Sequence, residues 1–167
     1  AREMGAKLVV GSSTNPDRRA RLTEYGADLA VDSRDDGWVQ QVLDATGGKG
    51  VDLIIDQISG YAANHNLAAT AILGRIVNVG RLGGFSGDFN FDLHALRRIT
   101  YIGVTFRTRS VEEVRDIVAW MQADLWDAVE SGALRLPIDR TFPLDNAAAA
   151  QAHMNANQHF GKIVLTV

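Results

Sequence analysis

The sequence predicts an α/β fold, a doubly wound parallel sheet with helices packed on it. Three observations carry this. Short apolar runs recur at a steady interval: Lys7 to Gly11, Asp28 to Asp32, Val51 to Asp56, Arg75 to Val79 and Ile99 to Val104. Most are rich in β-branched residues and lack clean polar alternation, as expected of strands buried on both faces. The segments between them carry helical period, and strands alternating with such helices form right-handed βαβ units.

The elements follow in order. Asn15-Pro16 opens the first helix, Asn as the cap and Pro at the first helical position. Trp38, Val39, Val42 and Leu43 share the apolar face of the next, and Leu67, Ala68, Ala71 and Ile72 that of a third. Gly47-Gly48-Lys49-Gly50 is a flexible turn leading into the third strand. Ser110-Val111-Glu112-Glu113 is a capping box, Ser110 reaching forward and Glu113 back. It starts a long helix whose stripe is Val114, Ile117, Val118, Met121, Leu125 and Val129. Gly5, Gly26 and Gly132 stand where helices should stop. The last third changes character. Leu136 to Pro143 is extended and interrupted by Pro, a helix runs from about Asp145 to Ala156, and Lys162 to Val167 is a sixth strand that need not join the same sheet. Residues 1–134 therefore read as one domain and 135–167 as a further segment. The successive segments do not resemble one another, so this is not a solenoid.

Composition narrows the function. Hydrophobic residues are 46% and charged residues 22%, with 17 Lys+Arg against 20 Asp+Glu, a net charge of −3. That excludes a disordered chain and a nucleic-acid binder working by bulk charge. No apolar run reaches the ~20 residues of a membrane span. The 167 residues contain no Cys, which removes disulfides and thiolate metal sites and fits a reducing, cytoplasmic setting. His65, His94, His153 and His159 show no HExxH spacing and read as surface or capping residues, so neither a metal site nor a catalytic residue is assigned.

In an open parallel sheet, ligands bind beyond the carboxyl ends of the strands. Those ends read Gly11-Ser12-Ser13-Thr14, Asp32-Ser33-Arg34, Asp56-Gln57-Ile58-Ser59-Gly60, Val79-Gly80-Arg81-Leu82-Gly83-Gly84 and Val104-Thr105-Phe106-Arg107. Small residues, hydroxyls and glycines let a backbone approach a ligand closely. This fits a nucleotide site, although turns favour the same residues. There is no GxGxxG.

Six pieces in order carry a resemblance. They are Arg2 to Lys7, Glu24-Tyr25-Gly26-Ala27-Asp28, Thr46 to Asp52, Leu73 to Gly80, Gly103 to Ser110 and Phe160 to Leu165. Together they resemble the nucleotide-binding half of the medium-chain dehydrogenase/reductase superfamily, and within it the zinc-independent NADPH:quinone oxidoreductase branch. The resemblance spans essentially all of the chain. It implies a Rossmann-like sheet in which the first strand, the glycine-rich turn and an amino-terminal catalytic domain are not represented. In that sheet the first strand lies centrally, so Leu8 to Gly11 and Leu53 to Asp56 would lack the neighbour between them. The expectation is a fragment of a longer protein, inactive by itself and either poorly stable or borrowing a strand from another copy. Residues 135–167 would return to the catalytic domain.

The resemblance also implies cofactor contacts. NAD-specific folds place an acid at the end of the strand corresponding to Lys7–Gly11, whereas NADP folds bring a cation there. Gly11-Ser12-Ser13-Thr14-Asn15 has no acid, and the first, Asp17, already lies inside the next helix. Arg18 sits where the family usually has Lys for the 2′-phosphate, with Arg19 as a second candidate; a solvated helix face is the plain alternative for both. Ser12, Ser13 and Thr14 would line the 2′-phosphate pocket. Ser33 falls where the family often has an aromatic residue or His against the adenosine end. Val79, Gly80 and Arg81 would run beside the nicotinamide, and Val104, Thr105 and Phe106 beside its amide, although core packing accounts equally for Phe106. Asn157 matches a late polar residue that reaches the cofactor. NADPH is thus the expected cofactor, and a quinone or an α,β-unsaturated carbonyl the expected small-molecule substrate. An enoyl reductase, including one embedded in a synthase, a zinc-type alcohol dehydrogenase relative, and a non-catalytic binding or structural relative are the alternatives. A homodimer through the edge strand at Thr100-Tyr101-Ile102 follows from the same analogy.

Overall fold

A computed structural model describes residues 1–167. The chain divides into two compact units, Ala1–Val114 and Arg115–Val167.

The first unit is the expected α/β arrangement of parallel strands. It contains β1 (Val10–Ser12), α1 (Pro16–Ala20), β2 (Leu29–Val31), α2 (Trp38–Ala45), β3 (Val51–Asp56), α3 (Ala63–Ala69), β4 (Thr70–Asn78), α4 (Phe91–Arg97), β5 (Thr100–Gly103) and the start of α5 (Val111–Glu130). β1 pairs in parallel with β2, Val10 opposite Leu29. β3, β4 and β5 form a second parallel sheet in that spatial order. β1 is bonded only to β2, and β3 only to β4. Between β1 and β3 lies a cleft of about 940 Å³, walled by Leu8, Val9 and Val10 on one side and by Val51 to Asp56 on the other. The resemblance implies a central strand at this position.

The helix boundaries follow the expected chemistry. Asn15 accepts the Arg18 N–H at 3.0 Å. Ser110 N–H donates to Glu113 at 2.8 Å, and Glu113 N–H returns to Ser110 Oγ at 3.2 Å, closing the capping box. α4 was not legible as a helix in the sequence; Asn90 caps it by accepting the Leu93 N–H at 2.8 Å.

Two expectations are corrected. Ala71 and Ile72 do not continue a helical face but belong to β4, because α3 ends at Ala69 and Thr70 is already extended. The register slips between Val51–Thr70 and Leu53–Arg75, leaving surplus residues on β4. That bulge includes Leu73 in the left-handed region, at φ 62°, and needs Gly74, whose Cβ would stand 2.9 Å from the Ala71 carbonyl oxygen. Nor are the strands buried on both faces. Leu53 and Ile55 are 47% and 55% exposed, whereas Ile76 is fully buried.

The core has two centres. Val31, Trp38, Val42 and Ala69 form one, with Val10, Leu29 and Val51 against it. Leu67, Ile76 and Ile99 form the other, covered by Phe89, Leu93 and Tyr101. Ile54 packs on both. Burying a Leu or Ile side chain in this way stabilises the fold by about 1.5–3 kcal/mol.

The second unit holds the remainder of α5, then β6 (Ile138–Pro143), α6 (Ala147–Asn155) and β7 (Lys162–Thr166). β6 and β7 pair in parallel as a sheet of their own. Lys162 N–H donates to the Pro137 carbonyl at 2.8 Å. Gly161, at φ 107°, leaves no room for a Cβ beside Pro137.

Candidate functional site

The strand ends of the first unit carry the candidate residues. At the end of β1, Ser12 lines the cleft, as does Ser33 just beyond β2. Ser13 N–H donates to the Val31 carbonyl at 3.1 Å, which ties this end of β1 to β2. Ser13 Oγ accepts the Asn15 N–H at 3.3 Å, shaping the turn through Thr14 into α1. Arg18 stands in the first turn of α1, half-buried. Arg19 is committed elsewhere: its guanidinium donates to the Ser13 carbonyl at 2.8 Å and pairs with Asp32 at 2.9 Å. It braces the ends of β1 and β2 against each other.

A smaller pocket of about 320 Å³ opens beyond β2, lined by Ser33, Arg34, Asp35, Trp38, Tyr61 and His65, among others. The rings of Trp38 and His65 lie 6.3 Å apart. Ser33 and Arg34 already stood at a strand end in the sequence. Trp38 read as a core residue, and Tyr61 and His65 reach the pocket from a 3₁₀ turn and α3, which no local pattern announces.

At the ends of β3 and β4 the backbone is tightly tied. The Val79 and Gly80 N–H groups both donate to the Asp56 carbonyl, at 2.8 and 3.0 Å. Gly80 approaches so closely that a Cβ would stand 2.5 Å from the Gln57 carbonyl oxygen. Arg81 is exposed. After β5, Val104 N–H donates to the Asn78 carbonyl at 3.1 Å, carrying the pairing one step past the strand. Thr105 Oγ1 accepts the Arg107 N–H at 3.2 Å. Phe106 is 67% exposed, which removes core packing as its role.

Asn157 belongs to the second unit, where it takes a left-handed conformation at φ 52°. The loop that carries it is held by Asp139, whose Oδ1 accepts the Phe160 N–H at 2.9 Å and whose Oδ2 meets His153 Nε2 at 2.8 Å. The Phe160 N–H, and then His153, hold the Asp139 carboxyl below the usual carboxylate range. His153 is thus a paired residue rather than a free surface one.

A family model described as zinc-binding dehydrogenase matches residues 25–165. The chain belongs to this family. Phthioceranic/hydroxyphthioceranic acid synthase of Mycobacterium tuberculosis (strain H37Rv) is 30% identical over 171 residues, covering all of this chain and 8% of the synthase. Among solved structures, an NAD-dependent alcohol dehydrogenase superposes with a TM-score of 0.78 at 28% identity, over 96% of this chain and 44% of that one. The CurF ER cyclopropanase from the curacin A biosynthetic pathway does so with a TM-score of 0.75 at 28% identity, over 99% and 48%. The chain therefore spans about half of these solved relatives and a small part of the synthase.

The family's description names zinc. This chain has no Cys, and no group of three or more His, Asp or Glu side chains is placed to hold a metal ion. The residues present do not fit a zinc site. No helix is long and apolar enough to cross a membrane.

Proposed function

We propose that this chain is the nucleotide-binding part of an NADPH-dependent reductase acting on an α,β-unsaturated carbonyl, an enoyl thioester in preference to a quinone. The observation that carries the cofactor assignment is the end of β1. Ser12-Ser13-Thr14-Asn15 offers hydroxyls, an amide and no acid, and Arg18 follows at once in α1. An acid there would bind a ribose 2′-hydroxyl, whereas hydroxyls and a guanidinium suit a 2′-phosphate. Arg19 pairs with Asp32, and Arg18 is the residue that the family resemblance sets against the 2′-phosphate. Ser33 and the pocket of Trp38, Tyr61 and His65 suit the adenosine end, since aromatic faces take a purine. The close backbone at Val79, Gly80 and Arg81, with Val104, Thr105 and Phe106 following the neighbouring strand β5, suits the nicotinamide end.

Bound NADPH would supply the hydride, and a solvent proton would complete the reduction. The chain's own residues bind and orient; none is assigned to proton transfer. The preference for an enoyl thioester is supported by the matched synthase and by the ER cyclopropanase. Residues 1–134 then form the nucleotide-binding body and 135–167 the segment that meets the remainder of such an enzyme. A cytoplasmic homodimer paired through β5 belongs to the same reading.

Titrations with NADPH and NADH, repeated on Arg18→Ala, test this. A charge-assisted contact to phosphate contributes about 1.5–3 kcal/mol, so the variant should bind NADPH at least ~10-fold more weakly and NADH nearly unchanged. Equal binding of the two cofactors by the native chain, or equal loss in the variant, refutes the NADPH assignment. Turnover by the complete enzyme with quinones but not with enoyl thioesters refutes the substrate assignment.

A further inference from the structure

The reading just given does not use the most completely buried acid in the first unit. Asp56 closes β3 and is 3% exposed. Its Oδ1 accepts the N–H groups of Ile58 and Ser59, both at 2.9 Å. Its Oδ2 meets the Tyr101 hydroxyl of β5 at 3.5 Å and Ser59 Oγ at 3.4 Å. Ser59 is held in an unusual conformation for a residue with a side chain, φ 56° and ψ −150°. Such geometry persists only where its surroundings over-determine it.

Ser59 passes the constraint on. A hydroxyl has a single proton, and the Gly80 carbonyl at 2.8 Å is the better-placed acceptor for it. Ser59 Oγ in turn accepts the amide N–H of Asn78, from the end of β4. The backbone repeats the tie. Leu82 N–H donates to the Gln57 carbonyl at 3.2 Å and Gly83 N–H to the Ile58 carbonyl at 2.7 Å. Glycines seal it: a Cβ at Gly83 would stand 2.7 Å from Ile58 and Tyr61 side-chain carbons, and one at Gly87 would stand 2.6 Å from the Gly60 carbonyl oxygen. Loops 57–60 and 79–87 are thus one interlocked piece, and the Asp56 carboxyl is its pin.

We infer that Asp56 is a positioning residue for the nicotinamide end: its carboxyl fixes Ser59, Ser59 fixes the Gly80 carbonyl, and the backbone from Val79 to Arg81 is thereby set against the ring. The inference rests on the NADPH reading for the identity of the ligand and on the hydrogen bonds for the clasp. Asp56 would act through Ser59 and not on the cofactor itself.

The test uses the full chain with Asp56→Ala, Asp56→Asn and Ser59→Ala, titrated with NADPH and with 2′,5′-ADP, which lacks the nicotinamide half. Asp56→Ala and Ser59→Ala should weaken NADPH at least about tenfold and 2′,5′-ADP less than twofold. Asp56→Asn keeps one acceptor oxygen for the two N–H groups and should recover most of the loss. Amide hydrogen exchange should quicken at Leu82 and Gly83 in Asp56→Ala and stay unchanged at Ser13. Unchanged exchange at Leu82 and Gly83 overturns the clasp. Equal weakening of both ligands, with exchange raised at Ser13 as well, reduces Asp56 to general scaffolding and overturns the inference. A complete enzyme that takes up neither ligand refutes the NADPH reading and the nicotinamide role with it, while the exchange result still decides whether the clasp exists.

Discussion

Gly60→Ala and Gly47→Ala make a matched pair that isolates the cost of crowding at the site. Both glycines have positive φ, +48° and +60°, so an added Cβ meets the same kind of backbone penalty. That penalty is about 1–2 kcal/mol for an L-residue in the left-handed region, offset by about 0.4–1 kcal/mol from a less flexible unfolded chain. Gly47 has nothing within 4 Å of the new atom, so Gly47→Ala should cost only about 1 kcal/mol. At Gly60 the atom would collide with the Gly83 carbonyl, with the carbonyl carbon 2.6 Å away and the Gly84 nitrogen 2.9 Å away. These are backbone atoms, and no rotamer change relieves them. Overpacking of this kind adds about 1–3 kcal/mol, so Gly60→Ala should cost roughly 2–4 kcal/mol in all. Urea unfolding of the two variants beside the native chain measures the difference. Equal midpoints would refute the reasoning, because they would mean that loops 57–60 and 79–87 part freely and that nothing holds Val79 to Arg81 in place.

Leu67→Ala should destabilise the chain by about 2–5 kcal/mol, as for other fully buried leucines, whereas Leu82→Ala, 84% exposed, should shift the same urea midpoint hardly at all; comparable shifts would place the core elsewhere. Stability should also fall in acid. The Val9 N–H and, after it, the Arg2 guanidinium hold the Asp28 carboxyl below its ordinary value of 3.8. A depressed carboxylate stabilises the fold above its unfolded value and loses that contribution as pH drops through the folded one. Urea midpoints taken from neutral pH to below 3.8 should therefore decline, with a shallower decline in Asp28→Asn; identical slopes would show that Asp28 contributes nothing.

Much of the architecture was legible because it rests on local chemistry. The β3 run from Val51 to Asp56 needs no tertiary information, since its apolar, β-branched composition already marks a strand. The caps at Asn15 and Ser110 are short-range hydrogen bonds within four residues, so residue type and spacing suffice. α3 and β4 misled for the converse reason. Ala71 and Ile72 continue a helical period, but Thr70 turns extended and pairs with Val51, and a long-range pairing outranks a weak local preference. The strands looked doubly buried because an apolar run is the same whether or not both faces are covered, yet Leu53 and Ile55 remain exposed.

The candidate site divides along the same line. The sequence by itself determined what stands at each strand end: the missing acid after β1, Arg18 in the next turn, and the glycines and hydroxyls beyond β3, β4 and β5. Those are matters of residue identity, and identity needs no coordinates. Only the tertiary structure decided which of them are spoken for. It committed Arg19 to Asp32, exposed Phe106, brought Tyr61 and His65 beside Ser33, and joined Asp56, Ser59, Asn78 and Tyr101 across three strands. Tyr101 lies 45 residues from Asp56 in the chain. A contact at that separation comes from the parallel stacking of β3, β4 and β5, and no periodicity within one segment can announce it.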